Sequence, residues 1–195
     1  LGPEVVHDNV LPSAPAAPES SGRDGRSGSR PERSLVTEIV PPRRRGVNAT
    51  AADWKWVLDV NLYGVLHGLD AFLPRMLEAG RPAHILNSVS LRGVAGSPGC
   101  GVYAASKYGV LALTETLHAE LADRDIGVTA LCPWSVNTAI VASERNRPDA
   151  RSMSAEALQK LIDAAPSSAI TIEPDQVAQV ALEAIEDNEL YAITH

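Results

Sequence analysis

Apolar positions recur at helical spacing after Thr50. Trp54, Val57, Leu58, Leu62 and Val65 fall on one stripe together with Asn61, the pattern of a helix that buries one face. Thr50-Ala51-Ala52-Asp53 stands at its start, a hydroxyl followed three residues later by a carboxylate, which predicts a capping box. The helix is expected to run to about Gly80, with Pro74 inside it as a bend. Asn61 is the odd member of the stripe, because a polar side chain on a buried face needs partners. Residues 84–89 then form a short strand-like run, read as a buried parallel strand. A second helical pattern covers about 102–123, with Val110, Leu111, Leu113, Thr114 and Leu117 along it. Residues 126–132 are the next strand, stopped by Pro133. Glu173-Pro174-Asp175 opens a last helix with Val177, Val180, Ala181 and Ile185 as its stripe, and residues 190–194 make a terminal strand. Strands alternating with helices predict an α/β fold, a parallel sheet flanked by helices. No internal repeat is visible.

Residues 1–47 follow a different pattern. Pro12, Pro15 and Pro18 punctuate an extended stretch, and Arg23, Arg26, Arg30 and Arg33 lie among serines and glycines. Disorder is the expectation there. Residues 34–40 suit a short strand, ended by Pro41-Pro42 and followed by Arg43-Arg44-Arg45. These arginines read either as a solvated tail or as an anchor for nucleic acid or a membrane surface. No aromatic residue interleaves with them to stack on bases, which favours the tail. The chain therefore divides into 1–47 and a domain from 48 to 195. Leu1 in place of Met suggests a fragment boundary or an unusual start.

Composition narrows the function classes. The formal net charge of −7 argues against bulk nucleic-acid binding. Cys100 and Cys132 make neither a disulfide framework nor a zinc site, so a reducing, cytoplasmic setting is the default. The five histidines show no metal-ligand spacing. No apolar run reaches the ~20 residues that span a bilayer, and no secretory signal opens the chain. No membrane partner and no metal are expected.

The chemistry concentrates in residues 90–107. Ser90 ends the strand-like run, a glycine-rich loop follows, and Tyr103 and Lys107 come four residues apart at a helix start. That spacing puts both on one helix face. A nearby ammonium favours the phenolate and lowers a tyrosine pKa from its usual ~10. A serine hydroxyl beside that phenol suits proton transfer to a carbonyl or alcohol oxygen. Ligands of open α/β sheets bind beyond the C-terminal ends of the strands, where Ser90 stands. Tyr-x-x-x-Lys alone recurs by chance, and a tyrosine at a helix start is more often a packing residue.

The ordered set of pieces carries more. Ser90 lies thirteen residues before Tyr103; Asp59-Val60-Asn61-Leu62-Tyr63-Gly64-Val65 lies upstream, and Cys132-Pro133-Trp134-Ser135-Val136-Asn137-Thr138 downstream. Together they resemble the short-chain dehydrogenase/reductase family over roughly residues 50–195. The resemblance implies a Rossmann-like sheet, NAD or NADP as cofactor, and interconversion of a secondary alcohol and a ketone. It implies Tyr103 as the acid-base group, Lys107 as the group that tunes it and bonds the nicotinamide ribose, and Ser90 as the holder of the substrate oxygen. Asn61 would support a proton relay. Pro133, Val136 and Thr138 would line the cofactor. The two long helices imply a homo-oligomer interface. Residues 140–170 resemble a variable substrate lid, in which Arg145, Arg147 and Arg151 could face an anionic substrate, though surface charge is the favoured reading.

The sequence also departs from the family. The Thr-Gly-x-x-x-Gly-x-Gly turn and the Asn-Asn-Ala-Gly motif are absent. The glycines before residue 60 are Gly2, Gly22, Gly25, Gly28 and Gly46, and none follows an apolar strand and opens a helix to cradle a pyrophosphate. The N-terminal half is read as missing or replaced. A frame change in the coding DNA is one hypothesis; upstream DNA with no glycine-rich strand-turn-helix in any frame would sink it. Trp134 stands where the family has glycine. The alternative function is a non-catalytic remnant that acts only through oligomerisation.

Overall fold

A computed structural model describes residues 49–147, 154, 156 and 170–195. The expected strand at 34–40, the arginine tail, Arg151 and most of the lid lie outside the described residues.

The first helical rod forms as its pattern predicts. Helix α1 (Ala51–Leu58) opens on a capping box in which Asp53 N donates to Thr50 Oγ1 (3.2 Å) and Thr50 N donates to Asp53 Oδ2 (2.7 Å). Helix α2 (Gly64–Ala79) contains Pro74 and ends at Gly80, whose φ of 57° is the left-handed cap that glycine favours. Between them the backbone widens into a π-turn over Asp59–Tyr63, which periodicity did not predict. Such turns recur at functional sites. The wider turn keeps Val57, Asn61 and Val65, four residues apart, all on the buried side.

Strands β1 (Ala83–Ser88), β2 (Ile126–Cys132) and β3 (Tyr191–Ile193) pair in parallel in the order β1-β2-β3. Ala83 stands opposite Ile126, and Leu131 opposite Ala192. Side chains alternate across the sheet. On one face Ile85, Val89, Val128, Ala130 and Cys132 meet α2 and helix α3 (Gly101–Glu120). On the other, Leu86, Leu131 and Ala192 meet Ala181 and Ala184 of helix α4 (Pro174–Glu186). The sheet is thus a middle layer between helices.

Two polar ties fix these layers. Asn87 Nδ2 on β1 donates to Thr114 Oγ1 on α3 (3.0 Å), which passes its own proton to Val110 O (2.7 Å). Nearer the N-terminal ends of the strands, His84 Nε2 lies 2.8 Å from Thr129 Oγ1, and Thr129 Oγ1 donates to Glu189 O at 2.6 Å. The threonine proton is used on Glu189, so His84 Nε2–H is the donor. Burial pulls His84 down to about 4, with a smaller push from His118, and keeps the ring neutral. A Cβ at Gly127 would sit 2.3 Å from His84 Nδ1 and 2.4 Å from Asn188 Oδ1, so only glycine lets that ring lie there.

Candidate active site

The strand ends β1 and β2 and the start of α3 assemble the candidate residues. Ser90 follows β1 with φ 149° and ψ 154°. That region is almost exclusive to glycine, and a serine held there is strained. Its hydroxyl accepts from Arg92 N (3.2 Å) and donates to Pro133 O (3.4 Å), while Leu91 N also donates to Pro133 O (3.0 Å). The loop after β1 is thereby stitched to the loop after β2. The short helical turn Leu91–Gly93 then presses on α3. A Cβ on Gly93 would meet Val89 Cγ1 at 2.6 Å and Lys107 O at 2.9 Å, so glycine is what allows that approach.

Tyr103 and Lys107 come from the first turns of α3, and both are buried. Burial pushes the Tyr103 phenol up to about 12, against the nearby Ser90 hydroxyl and Arg92 charge, which pull it down. Burial pulls Lys107 down to about 7, and its Nζ donates to Ser88 O at 2.8 Å. The spacing-based expectation was that Lys107 would lower the tyrosine. Desolvation is the largest cause of both shifts, and it opposes the effect expected of a nearby ammonium.

Asn61 is fully buried and donates through Nδ2 to Ser106 Oγ (3.0 Å), which donates to Tyr103 O (2.7 Å). The π-turn is therefore coupled to the backbone of the tyrosine. Val136 pairs with Ile172 in an isolated parallel bridge, flanked by Ile172 N to Ser135 O (3.1 Å) and Asn137 N to Ile172 O (2.9 Å). Thr138 is exposed, and its hydroxyl accepts from Ile140 N at 3.4 Å. The structure brings Ser90, Tyr103, Lys107 and Pro133 together; Asn61 reaches them through Ser106, and Val136 and Thr138 line the neighbouring loop.

Two arginines behave unlike surface charge. Arg147 is not surface charge as expected: its guanidinium is only 11% exposed, 2.5 Å from Asp53 Oδ1 and 5.1 Å over the Trp56 ring. The carboxylate is held down at about 2, chiefly by the Thr50 backbone N–H and then by Arg147. This pair fastens the far end of the turn Ala139–Asn146 to α1. Arg92 lies 4.5 Å over the Trp134 ring. Neither pairing was visible in the sequence, because each joins residues on separate elements.

The profile of the short chain dehydrogenase family matches residues 43–149, more than half of the chain. The chain belongs to the short-chain dehydrogenase family. The match includes residues 43–47 of the segment set apart by composition. A C alpha-dehydrogenase of Sphingobium is 33% identical over 148 residues, covering 75% of this chain and 48% of that one. A 3beta-hydroxysteroid dehydrogenase of Eggerthella lenta is 39% identical over 114 residues, 58% of this chain and 42% of that one. A short-chain dehydrogenase/reductase from Burkholderia phymatum in complex with NAD superposes with TM-score 0.72 at 34% identity, covering 83% of this chain and 60% of that one. One from Sphingobium yanoikuyae in complex with NADPH shares the fold, with TM-score 0.64 at 24% identity over 82% of this chain and 56% of that one. The chain spans about half the length of the curated short-chain dehydrogenases it matches. Among the described residues no helix is long and apolar enough to cross a membrane.

Proposed function

We propose that the chain carries the acid-base half of a nicotinamide-dependent dehydrogenase that interconverts a secondary alcohol and a ketone. The carrying observation is the buried Tyr103 phenol one helix turn from Lys107, whose Nζ donates to Ser88 O, with Ser90 at the C-terminal end of β1. Ser90 holds the substrate oxygen against Tyr103. A phenol pushed up to about 12 stays protonated, so Tyr103 is set to give its proton to an oxygen that gains negative charge. Lys107, through Ser88 O and the first turn of α3, positions that face. Asn61 and Ser106 hold the Tyr103 backbone.

The residues present fit the reactive end of an NAD or NADP molecule. Lys107 is a buried donor for a ribose hydroxyl, and the Pro133 to Thr138 loop is an open wall beside Ser90. When bound, the nicotinamide supplies or takes the hydride. No glycine-rich strand-turn-helix for its pyrophosphate lies among the described residues.

The test is binding of NADH and NADPH to the full chain, by nucleotide fluorescence and thermal shift, then turnover of a ketone and alcohol panel. Saturable binding with turnover abolished in Tyr103→Phe supports the reading. A folded chain that binds neither nucleotide refutes it.

A second reading has its own observation. Tyr63, Phe72 and Leu77 on the first rod and Tyr108 on α3 are 43–50% exposed. A chain that associates through such exposed residues without catalysis, as a homo-oligomer or with a complete relative, would show a concentration-dependent mass and no nucleotide affinity.

A further inference from the structure

We propose that Arg92, laid on the Trp134 ring at the rim of the Ser90 hydroxyl, determines specificity by gripping a carboxylate, so that the site prefers oxo or hydroxy acids to neutral ketones and alcohols. The proposal rests on the reading of Ser90 and Tyr103 as the acid-base pair.

Position comes first. Arg92 and Trp134 belong to the two strand-end loops that flank Ser90. Those loops are locked together by Leu91 N to Pro133 O (3.0 Å) and Ser90 Oγ to Pro133 O (3.4 Å), and Arg92 N holds the Ser90 hydroxyl at 3.2 Å. The guanidinium carbon lies 4.5 Å from the centroid of the indole, which is 43% exposed. The pair is therefore an open part of the rim and not a core contact.

Charge comes second. The ion pairs among the described residues join Lys55 to Asp59, Arg124 to Asp123 and Arg147 to Asp53. Arg92 has no carboxylate partner among them. Arg147 shows the contrasting case, an arginine on an indole that also holds an aspartate. Among the described residues Arg92 repeats that arrangement without the acid. A guanidinium stacked on an aromatic face keeps its N–H edge in plane, ready for two parallel bonds to a carboxylate.

The full chain, with NADH present, is titrated with short oxo carboxylates and with their methyl esters, followed by indole fluorescence and calorimetry. The acids are expected to bind about tenfold tighter than the esters. Arg92→Leu brings the ratio to about one, with NADH affinity and thermal midpoint unchanged. In the unaltered chain, raising the salt to about 1 M shrinks the preference, a readout that needs no variant. Equal affinity for acid and ester overturns the proposal, as does a variant that loses both alike. Loss of NADH affinity in Arg92→Leu overturns it too, since the anion held is then the dinucleotide's own phosphate. If NADH binds and no oxo compound does, this inference fails and the dehydrogenase reading stands. If NADH itself fails to bind, both fall.

Discussion

The two ends of the sheet bury polar groups in opposite ways. Toward the N-terminal ends, His84, Thr129 and Glu189 O form a closed chain in which the ring is neutral and its Nε2 proton has an acceptor. At the other end Ser90 is strained, Tyr103 is pushed up and Lys107 is pulled down. Neither titratable group there has an opposite charge in contact with it in the bonds described. Closed polar chains of the first kind specify a fold. Desolvated groups without a counter-charge cost stability and persist where chemistry uses them. The difference marks the second end as the candidate site.

Acid titration should break the symmetry most. His84 has its folded pKa depressed from 6.5 to about 4, so the unfolded chain binds the extra proton between those values. Its contribution is complete above pH 6.5 and is lost as pH falls through 4, up to about 3 kcal/mol. Urea unfolding at pH 7 and pH 4.5 measures it, and His84→Gln should flatten the difference. An unchanged midpoint would place the ring in water.

The site end should respond at higher pH, Lys107 in the same sense as His84 and Tyr103 in the opposite one. Lys107 is depressed from 10.5 to about 7, so stability rises as pH climbs from 7 toward 10.5. Tyr103 is raised from 10 to about 12, so its contribution is present below pH 10 and lost from there toward 12. Lys107→Met should therefore stabilise the fold by about 2 kcal/mol at neutral pH, read as a higher urea midpoint, while abolishing turnover. A destabilised variant would mean that the bond to Ser88 O outweighs desolvation.

Smaller effects sharpen the contrast. Gly93→Ala forces a Cβ against the α3 backbone, 2.9 Å from Lys107 O, and should cost about 1–2 kcal/mol. Calorimetric unfolding tests it. Ser90→Gly relieves the strained backbone and should gain up to about 1 kcal/mol with turnover lost; a loss of stability would show that the Ser90 hydroxyl holds the two loops together.

Much of the scaffold was legible in the sequence. The Thr50–Asp53 box, the strands at 84–89 and 126–132 and the helix opening at Glu173 are local patterns, and each formed within a residue or two of its expected bounds. Ser90, Tyr103 and Lys107 were legible because spacing along one loop and one helix turn brings them together. The π-turn was not, because it depends on what Asn61 meets across the helix pair. Arg147 was misread as surface charge because Asp53 is ninety-four residues away in sequence. Desolvation of Tyr103 and Lys107 was not legible for a related reason. Proximity of Tyr103 and Lys107 follows from helical spacing, but burial is a property of the packed whole.

Desolvation, rather than ion pairing, is expected to set the protonation of Tyr103 and Lys107. Titration of Lys107 through the shift of its labelled Cε, assigned with Lys107→Met, tests it most directly. A midpoint near 7 is predicted. A midpoint near 10.5 would put a full positive charge one helix turn from Tyr103 and contradict the account.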